Sequence, residues 1–152
     1  ILPDDVQQDT GNACTISIWF NRLDGSDEGY IFCALSGGPS NRRYLKIRDE
    51  GLLVQIGGSV QTSMRGQYTE NRWHHLVLTW RNNNSDAELF VDGISVAKNP
   101  DKYWLDPSPS LDTQVGCGFR QRPKMALDDI RIYKRGFSAA EVKALYELEK
   151  AG

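Results

Sequence analysis

The sequence has few cysteines, no long apolar run and little net charge, and these shortages exclude several classes of protein. The three cysteines among the 152 residues, Cys14, Cys33 and Cys117, include no CxxC pair, so a zinc knuckle is not expected. No apolar run approaches the ~20 residues that span a bilayer, so we expect no membrane insertion. With 18 basic and 20 acidic residues the net charge is −2, which favours neither nucleic acid nor an anionic membrane as a partner.

The sequence also lacks the common enzyme motifs: GxSxG, a phosphate-binding loop, and GxGxxG before a helix. Its two histidines, His74 and His75, are adjacent and open an apolar run over residues 73–80. In a strand, successive side chains point to opposite faces, so these imidazoles diverge and cannot hold one ion as HExxH does on a helix. We therefore predict a structural role for both histidines and a protein that is not an enzyme.

The cysteines leave two interpretations open. Cys14 and Cys33 lie in runs that we expect to form consecutive strands, so a disulfide between them is one interpretation. The other, which we favour, is that the cysteines are buried thiols that behave as small apolar residues. Cysteine usage therefore does not fix the redox compartment.

Short runs with alternating polarity make up most of the chain. In residues 14–20 the odd and even positions separate into a polar and a mainly apolar face, which is typical of a strand. Similar runs occupy residues 30–35, 44–48, 52–56, 73–80, 87–91, 94–97, 113–117 and 125–133, with a short one near Val60. Asp92 and Gly93 link two runs, and this pair favours a type I′ hairpin. About ten short strands at this spacing predict one antiparallel β-sandwich domain over residues 1–152.

A single helix is predicted after the last strand. Ser138 and Glu141 have the spacing of a capping box, in which each side chain bonds the other residue's backbone amide. Val142, Leu145 and Tyr146 then recur on one face. The pattern predicts a helix over residues 138–150 that packs on the sandwich or covers a sheet edge.

Five segments in order carry a family resemblance. They are residues 15–20 (TISIWF), 72–80 (RWHHLVLTW), 88–93 (ELFVDG), 127–133 (LDDIRIY) and 137–146 (FSAAEVKALY). Together they resemble the laminin-G-like, concanavalin A-like superfamily in its bacterial form. The resemblance implies an all-β jelly roll of two antiparallel sheets, one often concave, with a C-terminal capping helix. Two departures are a first strand that we expect to be truncated, with Ile1 to Pro3 as its stub, and the absence of the glycine usual at Met125 or Ala126.

The resemblance implies a binding module rather than a catalyst. Similar domains bind saccharides or protein partners through the concave face or the loops of one rim, and related glucanases carry a Glu-x-Asp-x-x-Glu strand that this sequence lacks. Because the chain starts at Ile1 rather than Met, we expect an excerpt of a larger secreted or surface protein, extracellular or periplasmic. We predict glycan recognition. The alternative is a structural or adhesive spacer that contacts a cell-surface protein or a neighbouring domain through the sheet edge left by the truncated strand.

Candidate ligand residues lie in loops, where aromatic rings can stack on pyranose faces. They are Tyr103, Trp104, Arg120, Arg122 and Tyr68. If these loops meet at one rim, they form an aromatic and basic patch that suits an acidic or sulfated glycan. In the alternative, Trp104 packs back on the sandwich and the arginines are solvated. The remaining tryptophans are expected in the core: Trp19, Trp73 and Trp80.

Asp128 is the candidate metal ligand. Strand alternation places it on the face of Ile130 and Ile132, which we expect to be the core face, and an inward carboxylate needs a cation or several donors. The resemblance implies a structural calcium about there, with Asp128 as one ligand and backbone carbonyls beside it. The alternative is that Asp128 caps a loop amide or meets an arginine.

Overall fold

The chain forms two five-stranded antiparallel sheets and a C-terminal helix. The computed structural model describes residues 13–23, 28–35, 43–48, 51–56, 64–81, 86–99, 112–115 and 124–151. Within these ranges the elements are β1 (Cys14–Arg22), β2 (Gly29–Leu35), β3 (Arg43–Arg48), β4 (Gly51–Ile56), β5 (Met64–Gly66), β6 (His74–Arg81), β7 (Asp86–Val91), β8 (Ile94–Asn99), β9 (Asp112–Val115), β10 (Met125–Tyr133) and α1 (Ala139–Lys150). No helix in the described part of the chain is long and apolar enough to cross a membrane.

The ten described strands are divided between two sheets. The first sheet has the order β10-β1-β6-β7-β8 and the second has the order β5-β4-β3-β2-β9. The predicted two-sheet sandwich with one C-terminal helix is therefore confirmed. The short strand expected near Val60 lies outside the described residues, and β5 was not predicted.

The main core lies between the two sheets. Alternate residues of β1 and β6 enter it from the first sheet, including Phe20 and Leu76, and Ile47 and Val54 enter it from the second sheet; all four are fully buried. Burying a side chain of this size stabilises the fold by about 1.5–3 kcal/mol. Cys14 contributes a buried thiol to the same core, which agrees with the interpretation that we favoured.

A second, smaller core lies between the outer face of the first sheet and the C-terminal segment. Its buried members are Val77, Phe90, Phe137 and Val142. The helix therefore packs on the sheet face rather than over an edge.

The predicted capping box is confirmed, because the Ser138 hydroxyl accepts from the backbone amide of Glu141.

The Asp92–Gly93 turn is a hairpin of the predicted kind. Both residues have positive φ, 51° and 77°, as a type I′ turn requires. A Cβ atom on Gly93 would lie 2.9 Å from Cδ1 of Tyr146, so the glycine also allows the helix to approach the turn closely. Asp92 bonds back to β6, since its Oδ1 accepts from the backbone amide of His75 at 2.9 Å.

The prediction that Asp128 faces the core is wrong. Its side chain is exposed, whereas Leu127 and Ile132 both pack against the core. Two core residues five positions apart cannot belong to one uninterrupted alternation, so the strand changes phase between them. The change occurs at Asp129, which has a φ of 49°, opposite an irregularity of β1 between Ser17 and Trp19.

The tryptophan predictions have three different outcomes. Trp80 is 1% exposed in the main core, as predicted, but the core position of Trp73 is wrong because it is 44% exposed just before β6. Trp19 is half-buried on the outer face of the first sheet, where α1 covers it, rather than between the sheets.

Candidate functional site

The outer face of the second sheet carries aromatic and charged side chains side by side. In β3, Leu45 and Ile47 point into the core, so Tyr44, Lys46 and Arg48 belong to the opposite face. In the register with β2, Tyr30 lies directly opposite Lys46. With Glu28, which immediately precedes β2, these half-buried residues form what we call the β2–β3 face: Glu28, Tyr30, Tyr44, Lys46 and Arg48.

The two tyrosines and the lysine of this face hold one another in place. The rings of Tyr30 and Tyr44 meet edge to face, with centroids 5.3 Å apart and an interplanar angle of 80°. The Nζ atom of Lys46 lies 5.8 Å from the centre of the Tyr30 ring. Contacts of this kind contribute about 0.5–1.5 kcal/mol each and fix side-chain orientation before any ligand arrives.

Glu28 joins the two cations of the β2–β3 face. Its Oε2 accepts from Lys46 Nζ at 2.8 Å and its Oε1 lies 3.4 Å from Arg48 Nε. The hydrogen bond from Lys46 is the main reason that the pKa of the Glu28 carboxyl lies below its ordinary value; partial burial acts in the opposite direction, and the charges of Lys46 and Arg48 lower it further. Glu28 is therefore ionised at neutral pH.

The side chains of the β2–β3 face have the chemistry to contact a sugar. Tyrosine rings can stack on the apolar faces of a sugar, and ammonium, guanidinium and phenol groups can bond its hydroxyl or acidic groups. One of the five side chains is a carboxylate, whereas glycoside hydrolysis uses two carboxyls across one sugar. The alternation of Tyr44, Lys46 and Arg48 was visible in the sequence, but the contacts of Tyr44 and Lys46 with Tyr30 depend on cross-strand register.

The two histidines diverge as predicted. His74 lies at the end of the main core, where Nδ1 is 2.8 Å from Asp92 Oδ2 and Nε2 accepts from the Thr69 amide at 3.0 Å. His75 points to the outer face of the first sheet, where its Nε2 lies 2.7 Å from Ser17 Oγ. Their structural role is confirmed by these contacts.

Ser17, His75 and Glu149 together resemble a catalytic triad in composition only. Glu149 Oε2 lies 3.3 Å from His75 Nε2, the nitrogen that also meets Ser17, whereas a triad places the acid on the other ring nitrogen. Ser17 and His75 are both 0% exposed, so no substrate reaches the hydroxyl. This group is part of the packing beneath α1.

Of the five predicted ligand residues, one lies in the described part of the chain. Tyr103, Trp104, Arg120 and Arg122 lie outside the described residues, and their binding role stays a prediction. The Tyr68 ring meets Phe20 edge to face at 5.4 Å, and its hydroxyl bonds the Arg22 guanidinium and the backbone carbonyl of Arg48. Tyr68 therefore packs at the end of the main core, and a ligand role for it stays a prediction.

In its described surroundings Asp128 contacts the neighbouring backbone. Asp128 Oδ1 accepts from the Asp129 amide at 2.8 Å, and Asp129 Oδ1 pairs with Arg131 at 3.0 Å. Among the residues that the structure describes, no group of three or more His, Cys, Asp or Glu side chains is arranged to hold a metal. The amide contact matches the capping alternative, and the calcium role of Asp128 stays a prediction.

Comparison of structures places the fold among known jelly-roll domains. A Trypanosoma rangeli sialidase in complex with 2,3-difluorosialic acid is similar with a TM-score of 0.69 at 14% identity, over 93% of this chain and 24% of that chain. The receptor binding domain of botulinum neurotoxin C/D mosaic serotype has a TM-score of 0.68 at 16% identity, over 93% of this chain and 37% of that chain. A botulinum neurotoxin type C structure, described with cell entry that depends on two ganglioside molecules, has a TM-score of 0.67 at 13% identity, over 90% and 36%. This chain thus spans about a quarter to two fifths of their lengths, and the likeness shows the fold alone.

Comparison of sequences defines the family. No curated protein has a sequence that matches this chain. The sequence profile of the family described as "Concanavalin A-like lectin/glucanases superfamily" matches residues 1–143, which is nearly the whole chain. The chain therefore belongs to the concanavalin A-like lectin/glucanase superfamily.

Proposed function

We propose that this protein is a non-catalytic module that binds a glycan on the β2–β3 face. The observation that carries the proposal is the joint placement of Tyr30 and Tyr44 with Lys46 and Arg48 on the outer face of the second sheet, while the one described helix packs on the other sheet. Apolar rings beside charged donors match the two sides of a sugar, its C–H face and its hydroxyl edge.

Preorganisation of the β2–β3 face supports binding. Lys46 is held between the Glu28 carboxylate and the Tyr30 ring, and Tyr44 is held against Tyr30. A ligand therefore does not have to order these side chains, and immobilising a flexible side chain costs about 0.5–1.5 kcal/mol.

The structural neighbours favour a saccharide as the ligand class. One is described with a bound difluorosialic acid and another with ganglioside molecules. For this chain we propose an acidic glycan, because Lys46 and Arg48 supply cations, and Arg120 and Arg122, which the sequence predicts in a loop, are proposed to add more. Tyr103 and Trp104 are proposed to stack on the same ligand. We also propose that Asp128 holds a structural calcium. The module is proposed to be part of a larger secreted or surface protein.

The test is binding to a glycan array with and without calcium, followed by titration of the best ligand. Tyr44→Ala should weaken binding by at least about tenfold, since a stacked ring contributes about 1–3 kcal/mol of contact. Tyr44→Phe keeps the ring and should retain most affinity, and Trp73→Ala removes an exposed aromatic beside the first sheet and should have no effect. No binding to any glycan, or equal loss in Tyr44→Ala and Trp73→Ala, would contradict the proposal.

A further inference from the structure

A buried imidazole lies at the contact between α1 and the first sheet. His75 is 0% exposed, and its ring stacks with Trp19 at a centroid distance of 5.0 Å and with Tyr146 of α1 at 5.9 Å. Trp19 and Tyr146 are themselves stacked at 6.0 Å. The three rings form one cluster, which we call the stacked triplet, and it joins the helix to β1 and β6.

The neutral ring of His75 can make every hydrogen bond that the structure shows for it. Nε2 lies 2.7 Å from Ser17 Oγ and 3.3 Å from Glu149 Oε2, so it can carry the proton and donate it. Nδ1 is buried and has no hydrogen-bond partner within the described part of the chain. A second proton would go to Nδ1, where a buried N–H without an acceptor is costly.

The charges around His75 come from three neighbouring elements. Burial is the main reason that its pKa is lowered to about 4, and Arg131 of β10 acts in the same direction, whereas Asp92 of the hairpin turn and Asp129 of β10 oppose it. Glu149 of α1 also faces the ring, but its carboxylate is already engaged by Arg131 at 2.8 Å and by the Trp19 indole N–H at 2.7 Å.

The layer that contains α1 is separate from the main core. Its buried apolar members are Val77, Phe90, Phe137 and Val142, none of which belongs to the cluster between the sheets. A helix of 12 residues is marginal by itself in water, so α1 depends on this contact. Small layers of this kind can open without global unfolding.

We propose that protonation of His75 releases α1 from the first sheet, so that the helix is docked at neutral pH and undocks in acid while the two-sheet core stays folded. The undocked ring is solvated and titrates at its ordinary value of 6.5, whereas the docked ring resists protonation. Docking is therefore fully stable above about pH 6.5 and is lost progressively as the pH falls toward 4, by about tenfold in the docking equilibrium per pH unit.

Amide hydrogen exchange of the intact chain tests the proposal. Between about pH 7 and about pH 4.5, the protection factors of α1 amides should fall on the order of 50-fold relative to those of β3 and β4. In His75→Gln, whose side chain does not titrate, this relative change should disappear. An unchanged ratio, a parallel loss in α1 and in β3 and β4, or the same pH response in His75→Gln would overturn it.

An NMR titration of the two imidazoles keeps the proposal testable if His75→Gln does not fold. The chain has two histidines, so two sets of ring signals are expected, and those of His75 report on the proposal. We expect the His75 ring to become protonated only as the α1 amide signals move. Protonation of His75 with an ordinary midpoint while α1 stays docked would overturn it.

Discussion

Single residues decide whether a face of this protein is a core or a site. His74 and His75 were assigned correctly to opposite faces because alternation within one strand is readable from the sequence. Asp128 was assigned to the wrong face because Asp129, with its positive φ, changes the phase of β10. Nothing in the residues themselves marks that irregularity, which arises from the pairing of β10 with β1.

The same limit explains why the loop aromatics were preferred to Tyr30 and Tyr44 as ligand residues. Both tyrosines lie inside predicted strands, and no pattern in the sequence places them together at a surface. Their edge-to-face contact at 5.3 Å depends on the register of β2 against β3, including its shift between Tyr30 and Phe32. Register between strands is a property of the folded sheet and not of either strand alone.

Glu28 provides a prediction at the scale of one side chain. Its carboxylate occupies the position between Lys46 and Arg48 that an acidic group of a glycan would take on the proposed face. Glu28→Gln should therefore strengthen binding of a sialylated oligosaccharide about two- to fivefold, as expected for a partly exposed charge, and leave its neutral counterpart unchanged. Isothermal titration of the two ligands measures this, and weaker binding of both in Glu28→Gln would instead assign a positioning role to the carboxylate.

At the scale of elements, the helix was predicted, and packing on the sandwich was one of its two predicted locations. The capping box and the recurrence of Val142, Leu145 and Tyr146 define a helix from local sequence. Its docking on the outer face of the first sheet depends on side chains far away in sequence, such as Val77 and Phe90. The polar residues on that face include Thr15, Ser17 and Thr79, and all three are buried in the structure.

The prediction at the scale of elements concerns the contribution of the N-cap of α1 to the stability of the helix. Ser138→Ala removes the hydroxyl that accepts from the Glu141 amide at 3.2 Å and should cost about 1 kcal/mol. The loss should appear in the protection of α1 amides before it appears in global unfolding by urea. Glu141→Gln keeps a side-chain acceptor for the Ser138 amide and serves as the control, with an expected loss well below that of Ser138→Ala. Equal losses in the two variants would contradict the capping account.

At the scale of the whole molecule, the second sheet, the first sheet and α1 form three successive layers. The main core joins the two sheets, the smaller core joins the first sheet to α1, and the second sheet keeps the β2–β3 face. The order of five short motifs was enough to identify this architecture from sequence, because each motif recorded a core-facing strand or the helix. Ligand contacts leave no such pattern, so the proposed site rests on the register of β2 and β3.

The most direct test of the account is chemical-shift mapping of the backbone amides during titration with a sialylated oligosaccharide. We predict that the largest changes fall in β2 and β3, around Tyr30, Tyr44 and Lys46, and that α1 amides stay unchanged at neutral pH. Saturable changes confined to α1 and the outer face of the first sheet, or none with any acidic or neutral glycan, would contradict the account.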